Sequence, residues 1–188
     1  MKKQLILVKH SIPEIMEGIP AREWRLSEEG QSRAHRLAER LQPFQIEAIF
    51  SSVEPKAQDT AEIVARKNRL ELCVVEGLHE HDRSNVSYLS KDEFHAAVHE
   101  FFERPDTLVF GNETANQSHA RFNQAVLSIL NLHSGKTIAV VAHGTVISLF
   151  ISRLTGISDI LLWNELGLPS FVVIDTKSGS LIERENII

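Results

Sequence analysis

The chain has 188 residues, of which 43% are hydrophobic and 24% charged, and its 20 Lys and Arg against 25 Asp and Glu give a formal charge of −5. That balance is ordinary for a globular protein and rules out a disordered chain, while the lack of any Lys/Arg-rich run argues against nucleic acid as a ligand. No stretch approaches the roughly 20 apolar residues that span a bilayer, so no membrane contact is expected, and the length suits one domain over residues 1–188.

Apolar runs alternate with segments of helical period, the signature of βαβ units and a sheet covered on both faces. Met1-Lys2-Lys3 is followed by too short an apolar run for a signal peptide, so Leu5–Val8 reads as the first buried strand. Ser27 then caps a helix whose stripe is Ala34, Leu37, Ala38 and Leu41, ended by Pro43. Ala48–Ser51 is the second strand, and Pro55 opens a helix with Ala57, Thr60, Ala61 and Val64 on its apolar face. Leu72–Val75 is the third strand, where the lone Cys73 reads as a buried structural thiol; one cysteine forms no internal disulfide, and a reducing cytoplasm is the expected location.

Gly77–Ser90 breaks the pattern with a polar run, His79-Glu80-His81-Asp82-Arg83, of the kind that loops present for function. Ser90 and Glu93 form a capping box for a helix to about Glu103, stopped by Arg104-Pro105. A long helix carrying Phe122, Val126 and Ile129 ends near Gly135, Thr137–Ala142 is the central strand, Val146–Leu154 a helix, and Ser170–Asp175 with Ser180–Glu183 a C-terminal hairpin at the sheet edge. Trp24, Trp163 and the Phe101-Phe102 pair are expected in the core or at its rim.

Two histidines, His10 and His143, each follow an apolar strand directly. Ligands of open α/β sheets bind beyond the carboxyl ends of the strands where strand order reverses, so these two imidazoles can meet in one cleft with Lys9 and with Lys56, which follows the second strand. A cationic, histidine-rich pocket suits a phosphate. Phosphate monoesters resist hydrolysis so strongly that a catalyst must lower the barrier by on the order of 20 kcal/mol. Passing the phosphoryl group to a neutral imidazole divides the reaction in two, a second imidazole and lysines neutralise charge, and a carboxylic acid protonates the leaving alkoxide. His79, His81 and Asp82 also sit where a proton is donated or accepted. The His79/His81 spacing occurs in metal sites too, but no further ligands stand at recognisable spacing.

Lys9-His10-Ser11, Ser51-Ser52-Val53-Glu54-Pro55-Lys56-Ala57-Gln58-Asp59-Thr60-Ala61, Leu78-His79-Glu80, Gly111-Asn112-Glu113-Thr114 with Arg121-Phe122, and Ala142-His143-Gly144 resemble, in order and over nearly the whole chain, the histidine phosphatase superfamily, also called phosphoglycerate mutase-like. The resemblance implies an α/β class fold, a three-layer α/β/α sandwich on a mostly parallel central sheet. It implies a phosphohistidine on His10, a phosphate pocket of Lys9, Lys56, Ser11, Gly144 and His143, and proton donation from Glu80, with Asp82 the second choice; no metal and no diffusible cofactor are implied.

Three positions depart from the family. Lysine stands at Lys9 and Lys56 where arginine is usual, which keeps the charge and loses the bidentate fork. Ser11 stands for glycine and either narrows the pocket floor or donates its hydroxyl to phosphate. Asp82, Arg83, Asn112, Glu113 and Thr114 are further candidates to touch substrate, chosen by segments 13–25 and 78–119. The expected function is hydrolysis of a phosphate monoester, with a small phosphorylated metabolite or a phosphoprotein as partner. Two alternatives are a non-catalytic phosphate-binding or regulatory module and a phosphomutase, the latter disfavoured by a chain short for an elaborated lid. Oligomeric state stays open, with Ile157–Trp163 a candidate homodimer contact.

Overall fold

The computed structural model describes residues 3–87 and 89–188. Met1 and Lys2 of the basic start, and Tyr88 in the segment expected to select substrate, lie outside the described residues. Six strands, β1 (Gln4–Lys9), β2 (Ala48–Ser51), β3 (Leu72–Val74), β4 (Ile138–Ala142), β5 (Ser170–Asp175) and β6 (Leu181–Glu185), form one sheet in the order β3-β2-β4-β1-β5-β6. The pairs β3·β2, β2·β4 and β4·β1 are parallel, whereas β1·β5 and the β5·β6 hairpin are antiparallel.

The period of two along each strand divides the core between the faces. Leu5, Leu7, Ile138, Val140, Val172 and Ile174 pack against Phe122, Val126 and Ile129 of α4 (Ala115–Leu132), Val146, Ile147, Phe150 and Ile151 of α5 (Gly144–Thr155), and Leu162 of α6 (Asp159–Glu165). Ile6, Val8, Ile49, Ala139, Val141 and Val173 face Leu37 and Ala38 of α1 (Glu28–Arg40) and Ala57, Ala61 and Val64 of α2 (Pro55–Asn68). β4 is therefore apolar at every position and wholly buried, as a strand covered on both faces must be. Each buried aliphatic side chain stabilises by roughly 1.5–3 kcal/mol. The remaining helix, α3 (Lys91–Glu103), lays Val98, Phe101 and Phe102 on Ala115 and Leu149. Among the described residues no helix is long and apolar enough to cross a membrane.

Ser27, Ser90 and Thr114 cap α1, α3 and α4, the last two in full capping boxes. Cys73 corrects an expectation, being exposed and not buried. β3 is the terminal strand of the sheet, only three residues long, so of the run Leu72–Val75 only its two ends pack against the core. The stretch Ile157–Trp163, read as a candidate subunit contact, includes most of α6, which packs on the chain's own α5 and α3; Trp163 meets Phe94 and His95 at ring-centroid distances of 6.0 and 5.0 Å.

The register creates the site. Lys9 pairs with Ala142 in β1·β4, and the ladder continues past the strands through His10 N–H to the Ala142 carbonyl and Ser52 N–H to the Val141 carbonyl, both 3.0 Å. The residues after three adjacent strand ends are thereby placed side by side.

Candidate active site

His10 and His143 lie edge to face with ring centroids 5.1 Å apart, His143 fully buried and His10 nearly so. Burial holds both imidazoles well below the ordinary histidine range, with the charge of Lys56 adding to it, so both are neutral near pH 7. His10 Nδ1 is 2.7 Å from the Ser11 carbonyl. A carbonyl only accepts, so Nδ1 carries the proton and the lone pair sits on Nε2, the tautomer a nucleophile requires. His143 Nε2 shares a 2.8 Å hydrogen bond with Ser52 Oγ, and its Nδ1 is buried with no hydrogen-bond partner among the described residues.

The two lysines arrive from different elements. Lys9 donates to the Leu166 carbonyl at 2.6 Å, and its stem passes over Gly144, where a Cβ would stand 3.0 Å from Lys9 Cε. Glycine at the start of α5 thus makes room for this side chain. Burial lowers the Lys9 ammonium to about 8, partly opposed by the Glu80 carboxylate. Lys56, nearly buried in the first turn of α2, donates to the Ala21 carbonyl at 2.7 Å and pairs with Glu54 Oε2 at 2.5 Å. The other oxygen, Glu54 Oε1, accepts from Glu80 N–H at 2.8 Å and lies 3.5 Å from His143 Nε2.

Glu80 accepts from His81 N–H at 2.9 Å and from Thr145 N–H at the start of α5 at 3.1 Å. Burial works against its charge, but Arg83 and the two N–H donors outweigh it and hold the carboxyl below the usual range. The loop around it is organised by Arg121, which donates to the carbonyls of Gly77, His79 and Glu80 and pairs with Glu113 at 2.5 Å. Gly111, at φ +79°, is a true glycine position, because a Cβ would collide with the Asp82 carbonyl and the His81 ring. Arg83 lies over the Phe94 ring, 4.8 Å from its centroid.

His81 is buried against Phe101 and Phe110, with centroids at 4.2 and 4.8 Å, and donates through Nε2 to the Glu113 carbonyl. Burial, helped by Arg83, lowers it to about 4. The folded pKa lies below the unfolded one, so the unfolded chain gains a proton first, and stability present above about pH 6.5 is lost as pH falls toward 4. This single group accounts for up to about 3 kcal/mol. His81→Phe is expected to flatten the fall of Tm between pH 7 and pH 4.5; parallel Tm profiles for the two proteins would show that His81 does not carry the acid sensitivity.

Of the expected site residues, the strand ends and the loop bring His10, His143, Lys9, Lys56, Gly144 and Glu80 together. Ser11 differs from its expected part as a phosphate donor: the buried hydroxyl donates to the Gly30 carbonyl at 2.7 Å and its N–H to Thr60 Oγ1, tying β1 to α1 and α2. Asp82 accepts from Ser84 N–H and Asn112 Nδ2, Glu113 holds Arg121 and Asp82 N–H, and Thr114 caps α4, so these side chains build the loop and its helix start. Glu54 and Arg121 stand in the motifs that carry the family resemblance, but the sequence assigned neither a role. An acidic residue two positions before Lys56 was the available signal for Glu54; none pointed to Arg121 as the organiser of three carbonyls.

The sequence matches the family model described as Histidine phosphatase superfamily (branch 1) over residues 14–185. It is 31% identical over 136 residues to Phosphoglycerate mutase-like protein 4 of Arabidopsis thaliana; the match covers 68% of this chain and 59% of that protein, so the chain spans less than two thirds of that relative's length. The fold is similar to Bacillus stearothermophilus YhfR, with a TM-score of 0.78 and 24% identity over 99% of this chain and 98% of that one. It is likewise similar to phosphoserine phosphatase of Entamoeba histolytica in complex with 3-phosphoglyceric acid (TM-score 0.78, 21% identity, 97% and 96% covered). A mycobacterial glucosyl-3-phosphoglycerate phosphatase bound to VO3 gives a TM-score of 0.76 at 20% identity, with 97% of each chain covered.

Proposed function

Because the chain belongs to the histidine phosphatase superfamily, branch 1, we propose that it is a cytoplasmic phosphomonoesterase that hydrolyses a small phosphorylated metabolite through a phosphohistidine on His10. The observation that carries this reading is the neutral, buried His10 with its lone pair on Nε2, 5.1 Å centroid to centroid from a second histidine and beside two lysines. In the first step Nε2 attacks phosphorus, the ester P–O bond breaks, and the departing alkoxide takes a proton from Glu80. In the second, water attacks the phosphohistidine, Glu80 takes the water's proton, the N–P bond breaks, and phosphate leaves with His10 restored. His143, Lys9 and Lys56 stabilise the oxygens of the transferring group. Glu80 rests as a carboxylate; a phosphate dianion beside it raises its proton affinity, so the proton for the leaving group is acquired as substrate binds. Nucleophile, charge stabilisation and acid all come from side chains, and the scheme uses no metal. In this reading the lysines replace the usual arginine forks with point charges. The observation favouring the alternative, a phosphate-binding module without turnover, is that Lys56 is already paired with Glu54.

Hydrolysis of an aryl phosphate in excess chelator, followed from pH 5 to pH 10, tests the proposal. The alkaline limb of kcat/KM is expected near pH 8, where the Lys9 ammonium loses its proton, and Lys9→Arg is expected to move the limb beyond pH 10 because guanidinium stays charged. Binding without turnover at every pH would select the module instead.

A further inference from the structure

Glu54 is a charged member of this cluster that the phosphatase scheme does not use, and it touches Lys56 and Glu80. Its two oxygens are divided among Lys56 Nζ at 2.5 Å, Glu80 N–H at 2.8 Å and His143 Nε2 at 3.5 Å, and its side chain is 8% exposed. Lys56 and His143 are also the groups assigned above to the phosphate oxygens. An acceptor-only carboxylate paired with Lys56 draws on the same ammonium that an incoming phosphate needs, and two like-charged groups sharing one donor oppose one another. Two carboxylates, Glu54 and Glu80, oppose the charges of Lys9 and Lys56, so the cluster offers phosphate a weaker field than two lysines alone.

We propose that Glu54 is a resident carboxylate that competes with phosphate for Lys56 and so sets the affinity of the pocket for phosphate. The competitor weakens every phosphate species that touches this cradle, and inorganic phosphate, which has no other handle, is weakened most in relative occupancy. A substrate regains binding through contacts its organic part makes elsewhere, so the device lowers product inhibition and leaves selection to the rest of the ester. The inference rests on the phosphatase reading.

The experiment compares the wild-type chain with Glu54→Gln and Glu54→Asp. Gln keeps one acceptor oxygen, which serves Lys56 or Glu80 N–H but not both, and loses the charge; Asp keeps both oxygens and the charge on a shorter stem. Two measurements use inorganic phosphate as the probe: its competitive Ki against an aryl phosphate, and the rise in Tm it produces, which needs no turnover. Glu54→Gln is expected to lower Ki about tenfold, equivalent to ~1.4 kcal/mol, and to enlarge the phosphate-induced rise in Tm, while Glu54→Asp stays near wild type. If Glu54 merely positions Lys56, both variants bind phosphate more weakly than wild type, and the proposal is overturned. An unchanged Ki in folded Glu54→Gln overturns it as well, with the phosphatase reading left standing. If wild type and Glu54→Gln neither hydrolyse the ester nor gain Tm from phosphate, the phosphate pocket itself is refuted and the inference goes with it.

Discussion

Replacing His10 by Ala is expected to abolish aryl-phosphate hydrolysis, with a fall in kcat/KM on the order of 10⁴-fold or more, as removal of a covalent nucleophile does in enzymes where the remaining binding groups stay intact. The protein should remain folded. His10 makes one side-chain hydrogen bond, to the carbonyl of the next residue, and packs edge to face on His143, so its removal breaks a single hydrogen bond and leaves a small cavity beside His143. Denaturing quench during turnover is expected to trap an acid-labile, base-stable phosphoenzyme in wild type and none in His10→Ala. Activity surviving in His10→Ala would falsify the phosphohistidine route, whatever the substrate.

Lys56→Ala is expected to cost about 3–5 kcal/mol of stability, the usual result of leaving one member of a buried ion pair alone. Glu54 would keep only Glu80 N–H and the distant edge of His143, with Lys56 gone from its other oxygen. For a domain of this length the loss lowers Tm by on the order of 10 °C. The paired replacement Glu54→Leu with Lys56→Met removes both charges and fills the space with apolar atoms of similar length, and is expected to recover most of the stability. Urea unfolding of wild type, Glu54→Leu, Lys56→Met and the double variant gives the coupling energy directly. A Lys56→Ala protein as stable as wild type would mean that the pair is solvated and that the charge balance of the pocket has been misjudged.

These results bear on different layers of what a linear chain encodes. The strands and their order of burial were legible because covering both faces of a sheet demands continuous apolar runs such as Ile138–Ala142. The caps at Ser27 and Ser90 were legible because each meets an N–H group only three residues away, whereas Thr114, which caps α4 in the same way, was read as a substrate contact. His10, His143, Lys9, Lys56 and Glu80 could be named as a group because each immediately follows, ends or closely succeeds a strand, and strand ends converge whenever the sheet forms. Cys73 was misread since an edge strand and a central one share the same short apolar run, and only pairing decides which is which.

What the sequence by itself determined is therefore local in range: the α/β alternation, the capped helix starts, and the set of groups gathered at the carboxyl edge. Tertiary structure alone decided where each of those groups spends its hydrogen bonds. Ser11 turns to Gly30, Lys9 to Leu166, Arg121 to the carbonyls of a loop more than forty residues earlier in the chain, and Glu54 to Lys56 and Glu80. The reason is physical. Apolar periodicity repeats along the chain and can be read from neighbours, whereas a buried polar group must find a partner of matching donor or acceptor type at about 3 Å, and that partner is supplied by whichever segment the fold happens to bring alongside.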